Sequence, residues 1–180
     1  MALSKSTLNG FGVVDGLADA EHSIFITIMA AAINNQIFNN IHPNKWIATT
    51  ETRIERNIEI PNDNSTETYK TKLIRVPDII VWNRKKLDEG AIKIPEIFIE
   101  IEQFDNMKSK IEKAETLFNS FSYWQEGFVM IYDTNPIQFY KFTRIPVSKK
   151  DLEEAKPSFS NILDRNLLSS FKHYWNLAFK

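Results

Sequence analysis

Acidic residues stand in this sequence at positions where a buried strand would ordinarily be apolar. The runs 75–82 (Arg-Val-Pro-Asp-Ile-Ile-Val-Trp) and 95–103 (Pro-Glu-Ile-Phe-Ile-Glu-Ile-Glu-Gln) are rich in β-branched residues, with Pro and charged residues between them. That composition predicts neighbouring strands of a buried sheet. Side chains alternate along a strand, which sends Phe98, Glu100 and Glu102 to one face and Ile97, Ile99 and Ile101 to the other. Asp78, at the start of the preceding strand, is placed to join the two Glu. Carboxylates crowded where the dielectric is low repel one another unless one is protonated or a cation lies between them. A hard divalent metal is the economical solution. One chemistry that such a metal can serve is phosphodiester hydrolysis, which needs an activated water and stabilised charge on the phosphate.

Mg²⁺ or Mn²⁺ is the expected ion, because these cations prefer oxygen donors. Asp78 and Glu100 are the expected direct ligands, with Glu102 as a third ligand or as the base that orients the attacking water. A cluster of Lys follows at once. Lys108, Lys110 and Lys113 lie in the first half of the next helix, and Lys110 or Lys113 would set a cation against the scissile phosphate. Gln103 is placed to hold water or backbone nearby. The bland alternative is an ion pair between Glu100 and Lys110 at the sheet rim, with the remaining Lys on a solvated face.

Pro77-Asp78, then Glu100-x-Glu102, then a Lys-bearing helix and a further strand resembles the PD-(D/E)XK nuclease superfamily. More narrowly it is similar to the bacterial restriction-endonuclease-like Uma family, over residues 19 to 142. The superfamily usually has Lys where this chain has Glu102; some members carry Glu there, and in others the Lys has moved to the following helix. The resemblance implies an α/β restriction-endonuclease-like sandwich, a mixed central sheet flanked by helices. It also implies that the backbone carbonyl of Ile101 faces the metal, and that the activity is a metal-dependent nuclease, DNA ahead of RNA. The alternative function is a catalytically inactive module of that fold that binds nucleic acid or a protein partner. In the same superfamily the first helix often lends an acid, and Glu21 is the Glu available; the competing reading is that Glu21 complements the helix dipole in its first turn.

The elements that must carry these residues follow from pattern. A chain of 180 residues with 43% hydrophobic content predicts one domain, spanning 1–180. Residues 1–18 read as a loose lead-in with an edge segment around Phe11 to Val14. Asp19 offers an N-cap for a helix to about Asn39, and 46–60 alternates as one strand with an exposed face. The polar stretch 61–70 turns the chain into a strand over 72–82, making a long antiparallel hairpin, and a second loop at 83–90 leads to the acidic strand. Met107, Ile111, Ala114, Leu117, Phe118, Phe121 and Trp124 form one helical stripe, and Gly127 closes the helical region. Strands at 128–132 and 137–142 flank a turn at 133–136, a charged linker or short helix covers 149–157, and 160–180 is an amphipathic helix expected to pack on the sheet.

Composition excludes several classes. A net charge of −1 rules out a protein that binds nucleic acid by bulk charge, though not a local basic groove. No Cys is present, which removes disulfides, thiolate chemistry and Cys-based zinc sites. With no apolar run near bilayer length, a soluble cytoplasmic protein without membrane partners is expected, and a homodimer stays open. His22, His42 and His173 are scattered and predict no imidazole metal site.

Overall fold

The structure, a computed structural model, describes residues 14–38, 46–61, 68–83, 95–145 and 156–179. The expected segment at Phe11, the loop after Asn83 and the linker at 149–155 lie outside the described residues. The chain is mixed α/β. A five-stranded sheet has the order β1-β4-β5-β6-β7, built from β1 (Trp46–Thr50), β4 (Ile79–Asn83), β5 (Pro95–Glu102), β6 (Glu126–Ile131) and β7 (Gln138–Thr143). Only β5 and β6 are parallel, and the other neighbours are antiparallel. Helix α1 (Val14–Phe38) precedes the sheet, α2 (Met107–Ser120) crosses from β5 to β6, and α3 (Leu167–Ala178) follows β7.

Alternation along the strands builds two cores. Ile79, Val81, Ile97, Ile99, Ile101, Phe128 and Met130 join α1 and α3 on one face. Ile80, Trp82, Phe98, Val129 and Ile131 meet Ala114, Leu117 and Phe118 of α2 on the other. Phe98 shares the α2 face with Glu100 and Glu102, so the acids lie beneath the helix that carries the lysines. Gly127 permits this packing: a Cβ there would run into the ring of Phe98. It lies within β6 rather than at the end of a helix.

Several boundaries differ from expectation. The strand at 46–60 is two, β1 and β2 (Ile54–Pro61), and that at 72–82 is also two, β3 (Thr68–Arg75) and β4. Glu51 takes a left-handed φ of 47°, and Val76-Pro77 interrupts the opposite strand. The pairing nevertheless runs without slippage from Trp46 opposite Asn83 to Pro61 opposite Thr68, so the expected long hairpin is present with a bend at its middle. The Glu51 N–H donates to the Asp78 carbonyl at 3.0 Å across that bend. Beyond it, among the described residues, β2 and β3 pair only with each other.

Helix α1 begins at Val14, not Asp19, because Leu17, Ala18 and Ala20 favour helix and outweigh the roughly 1 kcal/mol cost of Gly16. Glu21 is therefore well inside the helix rather than in its first turn. Helix α2 stops at Ser120, where the carbonyls of Phe118 and Ser120 accept from the guanidinium groups of Arg144 and Arg56. Cations complement the C-terminal end of a helix and satisfy its orphan carbonyls. Phe121 and Trp124 are buried from the turn that follows the helix instead of from the helical stripe.

The C-terminal helix is shorter than 160–180. Ile162 and Leu163 lie in the turn between β8 (Phe159–Ser160) and β9 (Arg165–Asn166). The buried carboxylate of Glu126 accepts from Ser160 Oγ at 2.6 Å and from the N–H groups of Asn161 and Ile162, which holds this segment out of helix. Asn166 caps α3 by accepting the Ser169 N–H at 3.0 Å. The helix packs chiefly on α1, where Phe25 stacks on Phe171 and Trp175 at 5.4 and 4.8 Å, and Leu167 and Phe171 join the core that α1 shares with the sheet. Among the described residues no helix is long and apolar enough to cross a membrane.

Candidate functional site

Asp78 sits one position before the last β4–β5 pair, Ile79 with Ile99, which sets it opposite Glu100. Pro77, next along, has no N–H and ends the ladder. Ile101 N–H and C=O point into the gap where β4 has run out, and side chains take both. The N–H donates to Asp78 Oδ2 at 2.7 Å, and His22 Nε2 lies 2.8 Å from the carbonyl. His22 Nε2 is also 3.5 Å from Asp78 Oδ2. From the α2 face Lys110 Nζ reaches Glu100 Oε2 at 2.9 Å and Asp78 Oδ2 at 3.5 Å. The side chains of Asp78, Glu100 and Lys110 keep only 12%, 12% and 18% of their exposure.

This crowding dictates the electrostatics. Burial pushes the Glu100 carboxyl up to about 7, reinforced by the charge of Asp78 and opposed by Lys110. Burial acts on Asp78 in the same direction, but the bond from His22, the charge of Lys110 and the Ile101 N–H overcome it and hold the group below the usual carboxylate range. For Lys110, desolvation is outweighed by the charges of Glu100 and Asp78, so its ammonium is held above its ordinary value. His22 is raised chiefly by its bond to Asp78. The strand end thus holds one firm carboxylate, one readily protonated carboxyl and one firm cation.

Of the residues expected from sequence, Asp78, Glu100 and Lys110 come together. Glu102 shares their face but turns away: its Oε1 accepts from Gln103 N–H at 2.9 Å and from Asn106 Nδ2 at 3.3 Å. The one-turn 3₁₀ helix Phe104–Asn106 curls back over it and draws the carboxylate aside. Lys113 is exposed on α2 and does not face the acids. Three residues on from Lys110, it lies about 60° round the helix and about 4.5 Å further along it, on the exposed side. The Ile101 carbonyl is engaged by His22 rather than open. Glu21 is partly buried, and burial together with Asp133 raises its carboxyl.

His22 was missed as a site residue. Nothing local in the sequence announces it: its partner Ile101 is 79 positions away, and they meet only because α1 packs across the end of β5.

Among the described residues no group of three or more His, Asp or Glu is arranged to hold a metal ion. The two carboxylates still suit a hard cation of the Mg²⁺ type, which is commonly held by one or two carboxylates while waters and substrate phosphates complete its shell. Comparison with known proteins gives no family: no family model, curated protein or solved structure matches the chain. The geometry of the site alone therefore bears on its chemistry.

Proposed function

We propose that the protein is a metal-dependent nuclease of the restriction-endonuclease-like fold, acting on DNA ahead of RNA. The observation that carries this reading is the convergence of Asp78, Glu100 and Lys110 at the carboxyl end of β5, where the chain leaves the sheet for α2. Ligand sites in open α/β sheets favour the carboxyl ends of strands. Stability alone gives little reason for the triad, because replacing a buried ion pair by apolar residues is often neutral or stabilising. Its order along the chain, with Pro77-Asp78 first, resembles that of the PD-(D/E)XK superfamily.

In this reading Asp78 and Glu100 hold Mg²⁺ or Mn²⁺, and the bound ion would supply charge neutralisation at the phosphate and an acidified water. Asp78 is fixed for that work by Ile101 N–H and His22. Lys110 moves its ammonium from the carboxylates to a phosphate oxygen, a displacement of a flexible side chain on a rigid helix. Glu102, bound to its own turn, is left as a residue that could orient water rather than as a ligand.

A second reading has its own support. Lys110 already pairs with both acids, and Glu102 stands where the superfamily usually has Lys, as in a catalytically inactive module that binds nucleic acid or a protein partner. Incubating supercoiled plasmid and single strands with Mg²⁺ or Mn²⁺, beside a Glu100→Ala control, separates the two. Cleavage that depends on metal and is lost in the variant supports the nuclease; binding without cleavage supports the module.

A further inference from the structure

The turn that joins the acidic strand to α2 presents an aromatic ring to solvent. Phe104 is 50% exposed, two positions after Glu102, and its exposure does not come from a loose backbone. Its N–H donates to Asp133 Oδ1 at 2.7 Å, its carbonyl accepts from the N–H of Met107, and Asn106 N–H closes the turn on Gln103 O at 3.2 Å. Val76 is 53% exposed two positions before Asp78. Each of the two acidic segments that converge at the site is thus flanked by an exposed apolar side chain.

Charge on this turn disfavours a double helix. Residues 103–107 contain no basic side chain, and the carboxylates of Glu102 and Asp133 are bonded to its backbone. Lys108 and Lys110 lie to one side, at the start of α2. One phosphate backbone can follow those lysines, whereas a second strand would meet acids. A net charge of −1 leaves little counterion-release affinity to offset that repulsion. An unpaired strand differs in that it can turn a base towards the ring, and every base has a face that stacks on an aromatic.

We propose that the site takes an unpaired nucleic acid strand and that Phe104 is the platform on which a base beside the scissile phosphate stacks. This rests on the nuclease reading of Asp78 and Glu100, and the test separates the two. Binding of a labelled oligo-dT strand, the same strand with abasic residues, and its duplex is measured by fluorescence anisotropy with Ca²⁺ present. Wild type, Phe104→Ala and Phe104→Trp are compared, and cleavage of each substrate is followed with Mn²⁺. The expected result is that wild type prefers the dT strand to both others by about tenfold or more, the scale of one stacked base. Phe104→Ala should lose the preference over the abasic strand while binding the abasic strand and the duplex as before, and Phe104→Trp should keep it. A wild type that cleaves nucleic acid but prefers duplex, or a Phe104→Ala variant weakened equally on all three, overturns the stacking role and leaves the nuclease reading standing. A wild type that binds none of them and cleaves none overturns both.

Discussion

The carboxylate of Asp78 accepts the backbone N–H of Ile101 at 2.7 Å, so an acid of the candidate site also finishes the β4–β5 ladder. Ile101 is fully buried, and its N–H has no water to turn to. Asp78→Ala should therefore cost about 1–3 kcal/mol in stability by urea denaturation, the scale for an orphaned buried donor. Asp78→Asn keeps an acceptor and should fold close to wild type at neutral pH while losing any metal-dependent cleavage. Because the Asp78 carboxyl is held below its ordinary 3.8, its stabilising contribution is present above that pH and lost as pH falls further. The Asn variant should lack that acid limb; matching acid unfolding of the two proteins would count against the Ile101 bond.

Glu100 has the opposite sign. Its carboxyl is raised from 4.5 to about 7, so the folded state holds a proton that the unfolded chain releases, and stability falls as pH rises between those values. The shift corresponds to about 3 kcal/mol, a figure that already contains the opposing attraction of Lys110. Glu100→Gln should remove this dependence. Chemical denaturation of the metal-free proteins at pH 4 and pH 8 should show the variant gaining on wild type as pH rises. A variant that loses ground instead would mean the Lys110 pair dominates.

How much of this was legible follows from the range of the interactions. The β5 alternation has a period of two residues and is carried by Ile97 to Glu102 themselves, so the side chains facing α2 could be read directly. The long hairpin was likewise local, carried by the polar stretch 61–70 between two alternating runs. Which lysine faces the acids was not, because it depends on where α2 starts, and a 3₁₀ turn that holds Glu102 sets that start. The bend at Glu51 was hidden because Thr49, Thr50, Thr52 and Ile54 continue a β-branched pattern through it. His22 and the turn holding Ile162 were invisible for the same reason. Each is placed by a partner far along the chain, Ile101 for one and the Glu126 carboxylate for the other.

Glu126 offers a structural control remote in chemistry from the candidate site. It is fully buried and also receives Lys141 Nζ at 2.8 Å. Glu126→Ala would leave that ammonium with only the Phe159 carbonyl and take the acceptor from the Ser160 hydroxyl and the N–H groups of Asn161 and Ile162, a loss of about 3–5 kcal/mol. Amide hydrogen exchange should speed most over residues 159–163. Where the variant still folds, cleavage per folded molecule should be unchanged, which would set it apart from changes at Asp78 or Glu100.

Gly127 and Phe98 should be coupled. Gly127→Ala drives a methyl group into the Phe98 ring and should destabilise by about 1–3 kcal/mol, the usual scale of overpacking. Phe98→Leu shortens the group that is struck, and the double variant should recover part of the loss. Additive effects in a denaturation cycle would show that the ring does not define that space.

Lys110 gives the most direct test of the metal site, because its ammonium lies where a cation would be needed. Nζ is 2.9 Å from Glu100 and 3.5 Å from Asp78, so it neutralises the acids and also competes for them. Lys110→Met keeps the length and packing of the stem but removes the charge. Without metal, the variant leaves two facing carboxyls uncompensated and should be less stable than wild type at pH 8, by up to about 3 kcal/mol given the partial exposure of the site. Added Mn²⁺ should reverse part of that order. A ligand bound only to the folded state stabilises by about 2.7 kcal/mol at a hundredfold excess over its Kd. With the competitor gone, the variant should bind Mn²⁺ more tightly and show the larger rise in Tm from chelator to millimolar Mn²⁺. Glu100→Gln should show little rise, since it removes a ligand. If metal moves none of the three proteins, Lys110 is the permanent partner of both acids, and the inactive-module reading replaces the nuclease.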